Sequence, residues 1–550
     1  MGGANGSKII VTTRSNQVAS IIGTVPPYVL RGLPHEDCLF LFLKWAFVDG
    51  EEKRYSNLVK IGDGIVRKCG GVPLAVRTLG SLLYAKTDEN DWLFIKDNDI
   101  WRLEQGENGI LPVLKLSYDY LPSYLQCCFA YCSLFPKDYC FDSRYLVYYW
   151  MALGLLFIPN DNELLEDVRL RYLKELLSRC FFQDVEDYGF YFTFKMHDLL
   201  HDLSVLVARR ECLTVNFKTQ NVDIRVRHFS LIDNPFNNQE DPNLLNNARS
   251  VRTFFLLREN DFFTESFLSR CLSRFKYFRL LSLSSILRDV LPDSVGTLKH
   301  LRYLDLSHNF FFGRTPRIYL FPYNMKLMIS LRYVEITTCV QQLQEDVIGC
   351  LKSLRYLYIN NCFNLVSLFE DMQKLTSLQT IYIRDSACLT SLPHGMKYLT
   401  RLEKLVIWDC PKLNLNMELQ EEDPCLSLQT FIIIDLPALV DLPLLILQGS
   451  ANTLRYMRIE KCPRLKALPE WLQNLTSVQK LEIISCPGLS SLPQGIQHLT
   501  ALQELKIQDS PALSERCRKD FLKPDPENDP ISSSGHQVGW LNQFNHRIKP

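Results

Sequence analysis

Three residues in the first two hundred have the type and setting to hold a ligand. Arg14 follows residues 7–13 (SKIIVTT), a short β-branched run that reads as a buried parallel strand. The carboxyl end of such a strand is where open α/β sheets place ligands. Pro73 lies in Gly70-Gly71-Val72-Pro73-Leu74-Ala75, which breaks one helical pattern and opens the next. Proline fits a helix's first turn, where its missing N–H would have no partner anyway. His197 belongs to Met196-His197-Asp198, the polar start of an amphipathic run, and an imidazole gains or loses its proton near neutral pH. Each has a plain alternative: a solvated arginine, a helix-start proline, a polar residue at a helix N-terminus.

Phosphoryl transfer would need more. A phosphate cradle requires Gly-x-x-x-x-Gly-Lys-[Ser/Thr], whose amides and lysine hold the β- and γ-phosphates. The sequence contains no Gly-Lys pair. An aspartate closing an apolar strand occurs at residues 431–435 (FIIID), but repeat packing accounts for it. No catalytic residue is assigned, and ATP hydrolysis is not expected. Cys127, Cys128 and Cys132 (CCFAYC) lack a fourth ligand at zinc-site spacing and read as core thiols, with no metal expected.

The elements that must position these groups are legible from periodicity. Helical patterns cover residues 36–47, 55–68 and 76–84, while residues 191–195 alternate like a strand ahead of a helix at 196–203. Residues 111–157 are rich in aromatics with short helical periods. The uncharged apolar stretch 145–159 falls short of the roughly 20 residues that span a bilayer, so it reads as a buried helix. Helices, a short strand and a further helix suit a winged-helix-like module.

The second half repeats itself. Residues 301–309 (LRYLDLSHN), 354–362 (LRYLYINNC) and 402–410 (LEKLVIWDC) fit L-x-x-L-x-L-x-x-N/C. Further copies start at Leu331, Leu378, Leu428, Leu454, Val478 and Leu502, with weaker ones at Val251 and Phe278. Side chains alternate along a strand, so both spaced leucines point inward. One repeat cannot bury its apolar edge alone, so the stack builds a curved parallel sheet. Cys339, Cys362, Cys410, Cys462 and Cys486 take the N/C position, which Asn309, Ser386 and Ser510 share. A small buried polar group there satisfies backbone at the turn.

Away from the core stand Tyr358, Tyr382, Val406, Ile432 and Arg458 in successive repeats, flanked by Tyr356, Trp408 and Tyr456. Aromatics and arginine dominate binding energy at protein interfaces. Tyr356, Tyr358, Tyr382, Trp408, Ile432, Tyr456 and Arg458 are therefore candidate partner-binding residues. The alternative is that this stripe docks on the chain's own front half.

A chain of 550 residues is long enough for three or four domains, and 47% hydrophobic with 22% charged residues is ordinary for a globular protein. Lysine plus arginine balances aspartate plus glutamate, 61 against 61, which disfavours a generic nucleic-acid partner. Eighteen cysteines without a secretory signal at the N-terminus point to reduced thiols and a cytoplasmic location.

Several motifs then carry a family resemblance. Residues 6–15 (GSKIIVTTRS) look like the sensor strand of plant nucleotide-binding, leucine-rich-repeat resistance proteins. Residues 70–75 (GGVPLA) are similar to their GLPLA motif, with Val72 in place of leucine. Residues 128–141 (CFAYCSLFPKDYCF), 149–156 (YWMALGLL) and 196–198 (MHD) resemble three further family motifs, in the family's order.

The resemblance implies an α/β remnant of a nucleotide-binding domain (1–30), then a helical domain (31–108) and a winged-helix domain (109–220). Leucine-rich repeats (221–520) and a disordered tail (521–550) follow. It implies an immune receptor switched by ADP and ATP, with Arg14 near the terminal phosphate, Pro73 against adenine and His197 near the β-phosphate of ADP. Because the phosphate cradle and a signalling domain would lie upstream of this sequence, ADP affinity is expected to be weak. The implied partners are a pathogen effector or a guarded host protein on the concave repeat face, and self-association, with neither membrane nor specific nucleic acid. The alternative is a repeat scaffold that uses no nucleotide.

Overall fold

The computed structural model describes residues 7–514 except 14, 103–109, 157–164, 209, 216–222, 232–247, 249, 257–264, 285–290, 308–322, 338–344 and 416–425. Arg14 and Cys339 lie outside the described residues. In chain order the helices used below are α1 (Asn16–Ile22), α2 (His35–Ala46), α3 (Ser56–Lys68), α4 (Pro73–Leu82), α5 (Glu89–Lys96), α6 (Leu111–Asp119), α7 (Ser123–Tyr131), α8 (Ser143–Leu153), α9 (Leu165–Ser178) and α10 (Asp198–Ala208). The chain divides into two compact units. One comprises residues 1–126, 160–188 and 192–203; the other comprises 127–159, 189–191 and 204–550.

In the first unit, α2 to α5 enclose a core around Phe42 and Trp92, both fully buried and meeting edge to face at 5.7 Å. Phe47 stacks on Trp92 at 5.2 Å, and the indole Nε1 donates to the Lys86 carbonyl at 2.9 Å. Aromatic packing of this kind removes a large apolar area while leaving no polar atom stranded. Gly62 allows α3 to close on the cluster, since a Cβ there would meet the Phe42 ring at 2.8 Å. Strands Gln183–Asp187 and Phe192–Lys195 pair antiparallel, with Phe182 and Phe194 rings 4.5 Å apart.

The strand expected over residues 7–13 does not form. The run is irregular and open to solvent, with Ile9 and Ile10 at 81% and 92% exposure. A parallel strand needs a neighbour for its backbone groups and cover for its faces. No strand among the described residues pairs with it.

The second unit is built on a 13-stranded sheet, from Cys212–Val215 to Glu504–Gln508, each strand hydrogen-bonded to the next in chain order. The strand pairings in it are parallel and in register, as between Tyr356–Asn360 and Thr380–Arg384. Leu357, Ile359, Ile381, Ile383, Leu405 and Ile407 alternate into one continuous core. The chain returns through 3-10 turns opened by Pro292, Pro393, Pro469 and Pro493, whose fixed φ suits the position. After the strands the backbone turns left-handed at Asn361, Asp385, Asp409, Asp435 and Asp509, with φ between 50° and 55°. Asn and Asp tolerate that region better than other residues with a Cβ. Two strands, Cys212–Val215 and His228–Leu231, precede the first repeat expected from sequence.

Candidate functional site

Backbone pairing aligns the expected row. Tyr358 lies opposite Tyr382, Tyr382 opposite Val406, Val406 opposite Ile432, and Ile432 opposite Arg458. Alternation sets these residues on the sheet face away from the leucine core. The row is not bare, however. Tyr356, Tyr358 and Tyr382 are only 2%, 3% and 4% exposed, and Val406 and Ile432 are fully buried.

The cover over the tyrosines is α8. Asp142 caps its start, accepting the Arg144 N–H at 2.8 Å, and Gly154 at φ 76° closes its end. Between the caps the sequence is apolar and aromatic on nearly every side, as a helix buried all round must be. Tyr148 reaches the sheet with its hydroxyl 2.9 Å from that of Tyr358, its ring 5.0 Å from Tyr333 and 4.8 Å from Tyr356. Tyr149 packs against Tyr303 at 5.1 Å and Phe255 at 4.9 Å. At the end of the helix, Arg279 donates to the Leu153 carbonyl at 2.7 Å and Arg302 to the Ala152 carbonyl at 3.3 Å. These cations satisfy exposed carbonyls and oppose the negative end of the helix dipole.

Two ionisable side chains are sealed into this contact. Glu335 is 2% exposed, and burial pushes its carboxyl up to about 8, with the like charge of Asp305 adding to the effect. Hydroxyls of Tyr145 (3.1 Å) and Tyr333 (2.9 Å) donate to it and act in the opposite direction. Arg144 pairs with Asp142 at 2.6 Å. Its guanidinium lies 3.9 Å from the Tyr191 ring centre and 5.3 Å from that of Tyr382. Stacking of a planar cation between rings explains why Tyr382 is closed off.

Further along, the row opens. Trp408 is half-buried, with the Arg384 guanidinium 4.2 Å over its ring and Phe190 edge-on at 6.2 Å. Tyr456 donates to Glu482 at 2.6 Å, and Arg458 pairs with Glu460 at 2.5 Å and Glu482 at 3.4 Å. Of the seven candidates, Tyr356, Tyr358, Tyr382 and Ile432 are therefore covered, contrary to the exposed stripe expected. Trp408, Tyr456 and Arg458 remain partly accessible. The sequence reading missed Arg144 and Glu335, whose importance comes only from the helix that lands on them.

The residues singled out for nucleotide chemistry sit elsewhere. Pro73 begins α4 behind two left-handed glycines, Gly70 (φ 60°) and Gly71 (φ 77°). The Leu33 N–H donates to the Gly71 carbonyl at 2.8 Å, and a Cβ on Gly32 would meet that oxygen at 2.9 Å, so two backbones run in contact here. His197 caps α10: its Nδ1 accepts the Leu199 N–H at 3.1 Å, and its carbonyl accepts from Leu200 and His201, each at 2.9 Å. That role needs an unprotonated Nδ1, which puts the proton of the neutral ring on Nε2. Pro73 and His197 belong to the same unit.

Among the described residues, the N/C-position cysteines serve the backbone as expected. The thiol of Cys362 lies 3.5 Å from the Asn360 carbonyl, that of Cys462 lies 3.4 Å from Glu460's, and that of Cys486 lies 3.4 Å from Ile484's. Ser386 and Ser510 make the same contact through a hydroxyl. Among the described residues no helix is long and apolar enough to cross a membrane.

The family described as "Disease resistance protein Winged helix domain" matches residues 134–204, a segment that contains α8. Disease resistance protein RGA2 of Solanum bulbocastanum is 46% identical over 219 residues, covering 40% of this chain and 22% of the relative. Disease resistance RPP13-like protein 4 of Arabidopsis thaliana is 28% identical over 378 residues, covering 66% of this chain and 42% of the relative. The chain thus spans less than half the length of these relatives. The chain is thus similar to plant disease resistance proteins, with the match to their winged-helix domain lying ahead of the stacked repeats.

Proposed function

We propose that the chain works in plant immune recognition, as a nucleotide-dependent switch joined to a repeat face that captures a pathogen effector or a guarded host protein in the cytoplasm. The observation that carries this reading is α8: a helix inside the matched winged-helix segment covers the aromatic row of the repeats. Partner capture then starts from Trp408, Tyr456 and Arg458, and engages the tyrosines only when α8 leaves them. In this reading Arg14 meets a terminal phosphate, Pro73 packs on adenine and His197 approaches the β-phosphate of ADP. Nucleotide serves as a ligand that sets the state, and hydrolysis is not required of this sequence.

The capping role of His197 favours a second reading, in which the front half supports the repeats and binds no nucleotide. Titration calorimetry of the full chain with ADP separates the two. The switch reading expects measurable, weak binding to the wild type and its loss in His197→Asn, which keeps an acceptor for the Leu199 N–H. No heat from the wild type, or equal binding by the variant, would replace it with the scaffold reading.

A further inference from the structure

Cysteine takes the N/C position in two successive repeats near the end of the sheet, residues 454–462 (LRYMRIEKC) and 478–486 (VQKLEIISC). Among the described residues no other stacked pair does so: Cys362 stands beside Ser386, and Cys410 lies between Ser386 and Leu436. The strands before Cys462 and Cys486 are in register, Glu460 opposite Ile484. Each strand then turns left-handed, at Lys461 and Ser485, both at φ 52°. The Lys461 N–H donates to the Ile484 carbonyl at 2.9 Å, so the pairing continues up to the cysteines. Parallel strands run about 4.8 Å apart, which lies within the Cα separation that a disulfide spans.

The turns that follow the two cysteines are pressed together. A Cβ on Gly488 would collide with the Pro463 carbonyl oxygen and meet that of Leu465 at 3.2 Å. The neighbouring repeats carry side chains at this position, Arg464 and Ala512. The Cys486 sulfur also leans across the repeat boundary, 3.8 Å from the Ile459 carbonyl, and accepts the Cys462 backbone N–H. On its other side the Cys486 N–H is held by the Ser510 hydroxyl at 3.0 Å. The Cys462 thiol donates to the Cys486 sulfur, which raises Cys462 and holds Cys486 below the ordinary thiol value. The thiolate is the reactive form of cysteine, so Cys486 is the better nucleophile of the two.

We propose that Cys462 and Cys486 are a redox site, oxidised by hydrogen peroxide to a reversible disulfide that staples two repeats together. The Cys486 sulfur attacks one peroxide oxygen, the O–O bond breaks, and a sulfenic acid and water result. The Cys462 sulfur then displaces the sulfenic hydroxyl, which leaves with the thiol proton as a second water. Each sulfur gives up one electron, and the peroxide takes both. Both side chains are sealed from bulk solvent, which excludes large thiol reagents and favours a small neutral oxidant. Among the described residues one strand, Glu504–Gln508, lies beyond them in the sheet, and the ends of repeat arrays open most readily.

Peptide mapping by mass spectrometry tests the proposal, on the full chain treated with hydrogen peroxide and alkylated in denaturant. A peptide pair joined through Cys462 and Cys486 should be the main linked product, lighter than its parts by two hydrogen atoms and released by dithiothreitol. The oxidised chain should melt a few degrees above the reduced one, because the cross-link restricts the unfolded chain. Cys462→Ser and Cys486→Ser should each abolish the linked pair and the rise in melting temperature. Both variants should fold, since serine fills the same position at Ser386 and Ser510. Cys410→Ser should keep the linked pair and the rise, because Ser386 and Leu436 are the residues stacked on Cys410. Recovery of Cys462 and Cys486 as free thiols, while the exposed Cys127, Cys140 and Cys350 are oxidised, would overturn the proposal. So would linkage of Cys486 to any cysteine other than Cys462, or a rise in melting temperature that persists in Cys486→Ser.

Discussion

The hydroxyls of Tyr148 and Tyr358 meet at 2.9 Å although 210 positions separate them in the chain. One projects from α8 and the other from a repeat strand, and both side chains are buried. A hydroxyl removed from water needs a partner, and here each supplies the other's. The contact marks where a repeat face suited to recognition is already occupied by the chain itself.

Arg144 should be the costliest polar residue of this contact to remove. With Asp142 it forms a largely buried pair, and deletion leaves the carboxylate without its cation. Arg144→Ala is expected to lower stability by about 3 kcal/mol in urea denaturation. Arg144→Lys should recover only part of this, because an ammonium cannot stack flat between Tyr191 and Tyr382. A loss below about 1 kcal/mol for the alanine variant would contradict the packing described.

Glu335 gives a pH dependence of definite sign. Its folded-state value is raised to about 8, above the ordinary carboxylate range, so the folded chain holds a proton that the unfolded chain releases. This contribution is complete below the unfolded value. It is lost as pH rises towards about 8 and changes little beyond. Glu335→Gln cannot ionise. Its stability relative to wild type should therefore increase between pH 5 and pH 8, followed by denaturant midpoints at fixed temperature. A parallel pH profile for the two proteins would show that Glu335 titrates normally.

Tyr382 and Trp408 look alike in sequence and should behave differently. Tyr382 is 4% exposed beneath Arg144, so Tyr382→Ala should cost about 3 kcal/mol of stability. Trp408 is only half-buried, and its truncation should cost about 1 kcal/mol while removing accessible aromatic surface from the capture face. Matching melting shifts for the two variants would deny the difference in cover.

Most of the repeat architecture was legible, because alternating leucines followed by a recurring turn announce a strand that must stack. Two further strands open the sheet: residues 226–234 (VRHFSLIDN) fit the repeat pattern around His228–Leu231, whereas Cys212–Val215 carries too little of it to be legible. The apolar stretch at 145–159 announced a buried helix but not what buries it. Periodicity reports that a face is apolar and is silent on its partner. For that reason the tyrosine row read as exposed, and Glu335 and Arg144 drew no notice. The run 7–13 shows the converse failure: strand composition without a neighbouring strand gives no strand.

A double-mutant cycle on Tyr148→Phe and Tyr358→Phe probes the docked helix most directly. Each single change strands one buried hydroxyl and should cost about 1 to 2 kcal/mol, whereas the double variant leaves none and should cost less than the sum. With α8 docked, the coupling between the two sites should be about 1 kcal/mol. Strict additivity, with no coupling, would contradict the placement of α8 on the repeat face.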